Sequence, residues 1–330
     1  MSIHKIKKLG KSSYYLKSFV WEAGETMAEK ITDLALEIRE SFPRNNVEIK
    51  GVVLEKHFDR EAGAHITTVH IKDERGSRAM KKPRGRYVTI ESDDMPKDDA
   101  EKESLLLCIA RELEKMVEGL RQKSVLIAGL GNQHVTSDSL GPRMVECIFV
   151  TRHFKREFGE LFMEENEYGT VSAIAPGVMA QTGMEAVEIL EGIIEKTSPD
   201  VVIVVDALAA RSMSRLCTTV QLTDTGISPG SGIGNHRRAL SRESLGIPVI
   251  AIGVPTVVDA KTIISDHLEK VLTKQGYNED EIDAFIREVF QDEMDNLYVT
   301  PKNIDESVAI IAKDLAKILN HCLQKKAIVS

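Results

Sequence analysis

The apolar runs VLIAG (residues 125–129) and VVIVV (201–205) are short, unbroken and rich in Val and Ile. That pattern belongs to strands covered on both faces, as in a parallel sheet. Further strands are expected in VSAIAPG (171–177), CTTVQLT (217–223) and IPVIAIGVP (247–255). Between them the pattern predicts helices around 143–153 and over 183–196, the second capped by Thr182, with a polar, acidic loop at 157–168. Strand and helix alternate across residues 124–275, which predicts an α/β fold with a three-layer, mostly parallel sheet. Residues 47–90 differ: VEIKGVVLEKHF, HITTVHIK and GRYVTIES alternate apolar and polar positions and are split by Gly and charged turns. They predict a smaller flanking antiparallel sheet.

Outside these strands the period is helical. Met27, Ile31, Leu34, Ala35 and Ile38 predict a helix over 25–40, and a linker rich in Asp and Lys (93–102) leads to another over 103–120. Beyond Asp266 the chain turns helical and acidic, and 277–305 reads as a possible helical insert before an amphipathic helix over 305–323. Residues 1–17 carry Lys5, Lys7, Lys8, Lys11 and Lys17 with no acidic residue, a formal +5 on a chain of net −8. A separate basic arm over 1–20 is expected, able to dock on an acidic body.

Composition narrows the function. With 330 residues, 42% of them hydrophobic, the chain can bury a large core. Its pI near 5.7 argues against a nucleic-acid partner, because phosphate contacts need a concentrated basic surface. Cys108, Cys147, Cys217 and Cys322 form no CxxC pair and have no His at ligand spacing, so neither a zinc site nor a disulfide framework is expected, and no cofactor is called for. Cys217, inside an expected strand, reads as a small packed hydrophobe. The sequence has no signal-peptide core and no run near the ~18 apolar residues of a spanning helix. A cytoplasmic protein with no membrane partner is expected.

The candidate chemistry centres on two aspartates. Asp138 follows the strand at 125–129 in the string GLGNQHVTSDSLGP, and Asp206 ends the strand at 201–205 in VVDALAAR. GLGNQHV starts like a dinucleotide fingerprint, but no glycine occupies the third glycine position. Either aspartate alone could simply cap a helix. Together, at the carboxyl edge of adjacent parallel strands, they form the pair that hydrolysis by water requires: one carboxylate as general base, its protonated partner as general acid. Such a pair would share a proton. The glycine-rich string SPGSGIGNHRR, with Gly230, Ser231, Gly232 and then Arg237 and Arg238, could be a surface loop or a nest for acidic groups. Arg211 could hold a carboxylate or bind an acidic substrate residue. Asp259 reads as a helix cap. A nucleophilic set from His134, His236 and Ser231 lacks any GxSxG elbow. Two rival readings stand beside the pair: the same carboxylates with His134 or His236 on a divalent metal, and a binding protein that has lost activity.

The strings GLGNQHVTSDSLGPRMVECIFVTRH, VSAIAPGVMAQTGMEA, PDVVIVVDALAARSMSRLCTTVQLTDTGISPGSGIGNHR and LGIPVIAIGVPTVVDA span roughly residues 124–262. Through them the chain resembles the spore germination proteases, endopeptidases that degrade small acid-soluble spore proteins. The resemblance implies an atypical aspartic peptidase built like the hydrogenase maturation proteases, with its essential aspartates at Asp138 and Asp206. It further implies a homotetrameric zymogen acting in the forespore and spore core, with the basic arm as propeptide and residues 21–330 as the peptidase domain. The family's processing region reads like RTDLA followed shortly by Glu, whereas Lys17, Ser18, Phe19, Val20 and Trp21 precede Glu22 here. A Pro frequent in the family is replaced by Ser137.

Overall fold

The computed structural model describes residues 32–42, 49–98, 102–230, 237–290 and 297–324. The basic arm, residues 25–31 of the helix expected at 25–40, and Ser231, Gly232 and His236 lie outside the described residues. In chain order the elements begin with α1 (Ala35–Glu40), β1 (Val52–Asp59), β2 (Ala64–Ile71), α2 (Glu74–Met80), β3 (Gly85–Glu91) and α3 (Glu103–Glu114). They continue with β4 (Ser124–Gly129), α4 (Leu140–Glu146), α5 (Arg152–Glu165), β5 (Thr170–Ile174), α6 (Met179–Thr182), α7 (Ala186–Thr197) and β6 (Val201–Ala210). The last are β7 (Thr219–Thr223), α8 (Arg242–Leu245), β8 (Val249–Asp259), α9 (Ala260–Lys274), α10 (Glu279–Val289), β9 (Tyr298–Val299) and α11 (Ile304–Gln324).

Among the described residues all nine strands belong to one sheet, ordered β1-β2-β3-β7-β8-β6-β4-β5, with β9 on β8. Strands β8, β6, β4 and β5 are mutually parallel, while β1, β2, β3 and β7 run antiparallel beside them. The antiparallel strands thus flank the parallel ones as expected, joined edge to edge through the β3–β7 and β7–β8 ladders.

Strand period sorts the core into two layers. Val125 and Ile127 of β4, and Val201, Ile203 and Val205 of β6, pack with α3, α4 and α11 on one face. Leu126 and Ala128, with Val202 and Val204, pack with α7 and α8 on the other. Each strand therefore contributes apolar side chains in both directions, which is why these segments read as continuous runs. Within the first layer, Lys102 and Asp314 form an ion pair of 2.5 Å with side chains only 6% and 5% exposed.

Three expectations are corrected. The supposed loop at 157–168 is largely α5: Phe154, Phe158 and Phe162 recur at helical spacing, with ring centroids 6.2 and 4.8 Å apart in succession. Its many charges hid that period, and a break at Gly159 (φ 84°) interrupts it. Thr182 does not cap α7; it closes the one-turn α6 ahead of Gly183 (φ 73°), and α7 starts from a capping box of Glu185 and Glu188. Residues 277–305 contain α10 and then rejoin the sheet, because β9 pairs with Val258 and Asp259 of β8.

Candidate active site

Asp206 does not end its strand. It sits in the middle of β6, opposite Gly253 of β8, and the ladder runs on to Ala210 opposite Val258. Its neighbour β4 stops earlier: Gly129 faces Val205, and one further bond, from Leu130 N–H to the Val205 carbonyl at 2.8 Å, closes the ladder. Asp206 therefore occupies the first position of β6 that β4 no longer covers. Alternation puts it on the face of Val202 and Val204. Only 5% of it is exposed, and its Oδ1 accepts the Ala207 N–H at 2.9 Å.

The chain leaving β4 fills the place vacated beside it. Gly131 adopts φ 113°, and a Cβ there would lie 2.0 Å from the Asp138 carbonyl oxygen, so only glycine permits this approach. Residues Thr136–Asp138 form a single 3-10 turn, fixed by the Asp138 N–H on the Val135 carbonyl at 2.8 Å. The Asp138 carboxylate accepts the Asn132 N–H at 2.7 Å. Behind the turn, α4 presses on the end of β4: a Cβ on Gly129 would come within 2.1 Å of the Gly141 carbonyl oxygen, and one on Gly141 within 2.4 Å of Leu130 O. From the other side, Thr256 of β8 donates its hydroxyl to the Ser137 carbonyl at 2.7 Å.

The two carboxyls are electrostatically in contact and unlike each other. Burial, then the charge of Asp138, then that of Asp33 raise Asp206 well above the usual carboxylate range; the Ala207 N–H and Arg237 pull the other way. Asp138 is raised less, by burial, and is drawn down by the Asn132 N–H and by Arg237. Arg237 thus acts on both aspartates from the far side of the glycine-rich string. Gly230, where that string enters, has φ 72°. The one-turn α6 after β5 meets this loop through Gln181, whose amide donates to Asn132 Oδ1 at 3.0 Å. Val135, Met179 and Met184, each 46–50% exposed, leave the surroundings partly apolar.

Arg211 is held inside the chain. Its guanidinium makes two bonds of 2.9 Å to Asp266 of α9, and its N–H bonds Glu37 at 2.6 Å. Asp259 caps α9, accepting the Thr262 N–H at 2.8 Å. Cys217 lies just before β7, buried, its thiol pushed up to about 11 by burial. His134 is exposed beside Gln133. Among the described residues no group of three or more His, Cys, Asp and Glu could hold a metal ion, and no helix is long and apolar enough to cross a membrane.

Asp33, Asn132 and Thr256 were not anticipated. Asp33 sits on the extended segment before α1: its N–H bonds the Ala209 carbonyl, and its carboxylate accepts the Ala209 N–H, both at 2.9 Å. A signal for it exists in the sequence, because Thr32-Asp33-Leu34-Ala35, with Glu37 two residues on, fits the RTDLA-then-Glu processing pattern in all but the Arg, where Ile31 stands. The pattern is present, downstream of the position where Lys17–Trp21 stood in its place.

The chain is similar to several known proteins. A germination protease from Caldanaerobacter subterraneus subsp. tengcongensis is 44% identical, covering 89% of this chain and 94% of the relative. Germination proteases of Clostridium perfringens strain SM101 and Bacillus subtilis strain 168 are each 40% identical, covering 90% and 89% of this chain and 96% and 93% of their own lengths. The solved NiFe hydrogenase maturation protease HycI from Thermococcus kodakarensis aligns over 63% of this chain and 99% of its own, at 17% identity and a TM-score of 0.31. The germination protease family itself matches residues 28–284, and the chain belongs to that family.

Proposed function

We propose that this peptidase hydrolyses small acid-soluble spore proteins during germination by activating water between Asp138 and Asp206. The observation that carries the reading is the burial of Asp206, within reach of the Asp138 charge, at the point where β4 stops covering β6. The environments divide the roles. Asp206 is enclosed, with one backbone donor and two neighbouring negative charges, so it keeps its proton and serves as general acid. Asp138 is more open, accepts the Asn132 N–H and feels Arg237, so it is the ionised base.

In the first step Asp138 takes a proton from water as the oxygen attacks the scissile carbonyl carbon, and Asp206 gives its proton to the carbonyl oxygen. The tetrahedral adduct then collapses: Asp138 passes its proton to the leaving amine nitrogen, and the hydroxyl proton returns to Asp206. The pair ends as it began, with no covalent enzyme intermediate and no cofactor. Arg237, with Gly230, Ser231 and Gly232 before it, is assigned to acidic side chains of the substrate. Arg211, occupied by Asp266, is assigned the structural one of its two expected roles.

The zymogen reading attaches to Asp33. The TDLA-then-Glu segment at 32–37 lies along the end of β6, close enough for Asp33 to act on the Asp206 charge. Self-processing is therefore assigned to 32–37 rather than near Glu22, with the basic arm on the removed side. Assembly as a homotetramer and action in the forespore and spore core belong to the same proposal. The test is cleavage of a purified small acid-soluble spore protein by the full chain, by a form beginning within 32–37, and by Asp138→Asn and Asp206→Asn variants of each. The shortened wild type should cut and both variants should be inert; an Asp206→Asn enzyme that cuts normally would refute the pair.

A further inference from the structure

The parallel register of β6 and β8 holds from Val202 opposite Val249 to Leu208 opposite Pro255, then slips, with Ala209 opposite Val257. Thr256 is the extra residue of this β-bulge. Pro255 explains the slip, since it has no N–H to give a ladder and a proline inside a central strand is found at bulges. A bulge turns one side chain out of the pleat, and bulges gather beside active sites. Here the released side chain is Thr256, 1% exposed, whose hydroxyl reaches the carbonyl of the residue before Asp138 at 2.7 Å.

We propose that Thr256 is a positioning residue of the peptidase, its hydroxyl fixing the Ser137–Asp138 peptide at a set distance from Asp206. The other bonds described for the Asp138 turn arise within its own loop: Asn132 N–H to the carboxylate, Asp138 N–H to Val135, and Ser139 hydroxyl to Thr136. They shape the turn but do not place it against β6. Thr256 comes from another strand, three residues beyond Gly253, which faces Asp206. It ties the base's loop to the strand that flanks the acid. Losing this bond leaves the turn shaped as before and free to drift by a fraction of an ångström. Misplacement on the scale of 1 Å costs on the order of 10²-fold in rate.

This inference rests on the aspartate-pair reading, and the experiment separates the two. Thr256→Val, Thr256→Ser and Asp206→Asn are made in the same wild-type background that cleaves a small acid-soluble spore protein. Thr256→Val keeps the shape and removes the donor; it should lower kcat by about 10- to 100-fold and leave KM within about twofold. Thr256→Ser keeps the donor and should recover most of the rate. Should Val crowd the bulge and reduce the folded yield, Thr256→Ala carries the same expectation. Wild-type kcat in the donor-less variants, or a Ser variant as slow as they are, would overturn the role of Thr256. An active Asp206→Asn enzyme would overturn the pair itself, whatever the threonine variants do.

Discussion

Gly141→Ala decides between two opposed forces. Gly141 is the second residue of α4, where helix propensity alone makes Ala better than Gly by about 1 kcal/mol. The packing says otherwise. A Cβ on Gly141 would sit 2.4 Å from the Leu130 carbonyl oxygen and 2.5 Å from the Leu130 nitrogen, where ordinary contact begins at 3.4 Å. Both obstacles are backbone, so α4 must retreat by roughly 1 Å, and overpacking of this kind costs about 1–3 kcal/mol. The clash offsets the propensity gain, giving a net loss of up to about 2 kcal/mol and a Tm lower by a few degrees for a domain of this size. Function suffers more. Asp138 lies on the turn between β4 and α4, so a 1 Å retreat carries it off the position needed beside Asp206, costing on the order of 10²-fold in kcat. Thermal unfolding by circular dichroism and steady-state cleavage of a small acid-soluble spore protein read the two effects separately. A Gly141→Ala protein more stable than wild type and equally active would refute the argument that close backbone approach sets the site.

Asp206→Asn should lose at least about 10²-fold in kcat, the lower end of what a positioned acid contributes, yet unfold at a higher temperature. The sign follows from burial: the folded carboxyl is raised above its unfolded value near 3.8, so wild-type stability declines as pH rises past that value toward the folded one. The Tm advantage of Asn should be small at pH 3 and grow toward neutrality; a constant difference would contradict it. Lys102→Ala leaves Asp314 buried without its cation and should cost about 3–5 kcal/mol in denaturant unfolding. The exposed Lys97–Asp94 pair, with side chains 57% and 50% exposed, should give at most about 1 kcal/mol in the same assay. Arg211→Met should destabilise by about 1–3 kcal/mol through loss of the Asp266 pair and leave KM unchanged; a raised KM with normal stability would return Arg211 to the substrate.

The parallel half of the fold was legible because burial on both faces removes any need for polar alternation. Val125–Gly129 and Val201–Val205 contain no polar residue, and each feeds both core layers. The antiparallel strands were legible for the opposite reason: polar residues interleave with apolar ones, as His65, Thr68 and His70, none of them buried, do in β2. What misled was charge and punctuation. The aromatic period of α5 is interleaved with Arg, Lys and Glu, which read as solvent loop. Asp206 looked like a strand end because a lone carboxylate after five apolar residues usually marks one. Its strand continues because β8 runs on beside it to Val258, and partner length is not written in the local sequence.

The same misreading hid what distinguishes the site. Two aspartates at two strand ends would share one solvent-facing edge, and nothing in that arrangement would make them unequal. A β4 that stops at Gly129 while β6 runs on makes them unequal: Asp206 stays within the β6–β8 ladder, buried, and Asp138 lies on a half-buried turn. The inequality comes from strand lengths, and only the strand motifs, not their lengths, could be read in advance. The residues that convert it into geometry carry weak local signals for the same reason. Gly129 and Gly141 are ordinary turn glycines until their mutual approach is seen, and Thr256 is an ordinary strand threonine until Pro255 breaks the register. The proposed roles, a protonated carboxylate inside a sheet and an ionised one on an adjoining turn, make opposite demands on solvation, and a sheet edge of unequal strands would meet both within one hydrogen-bonded register.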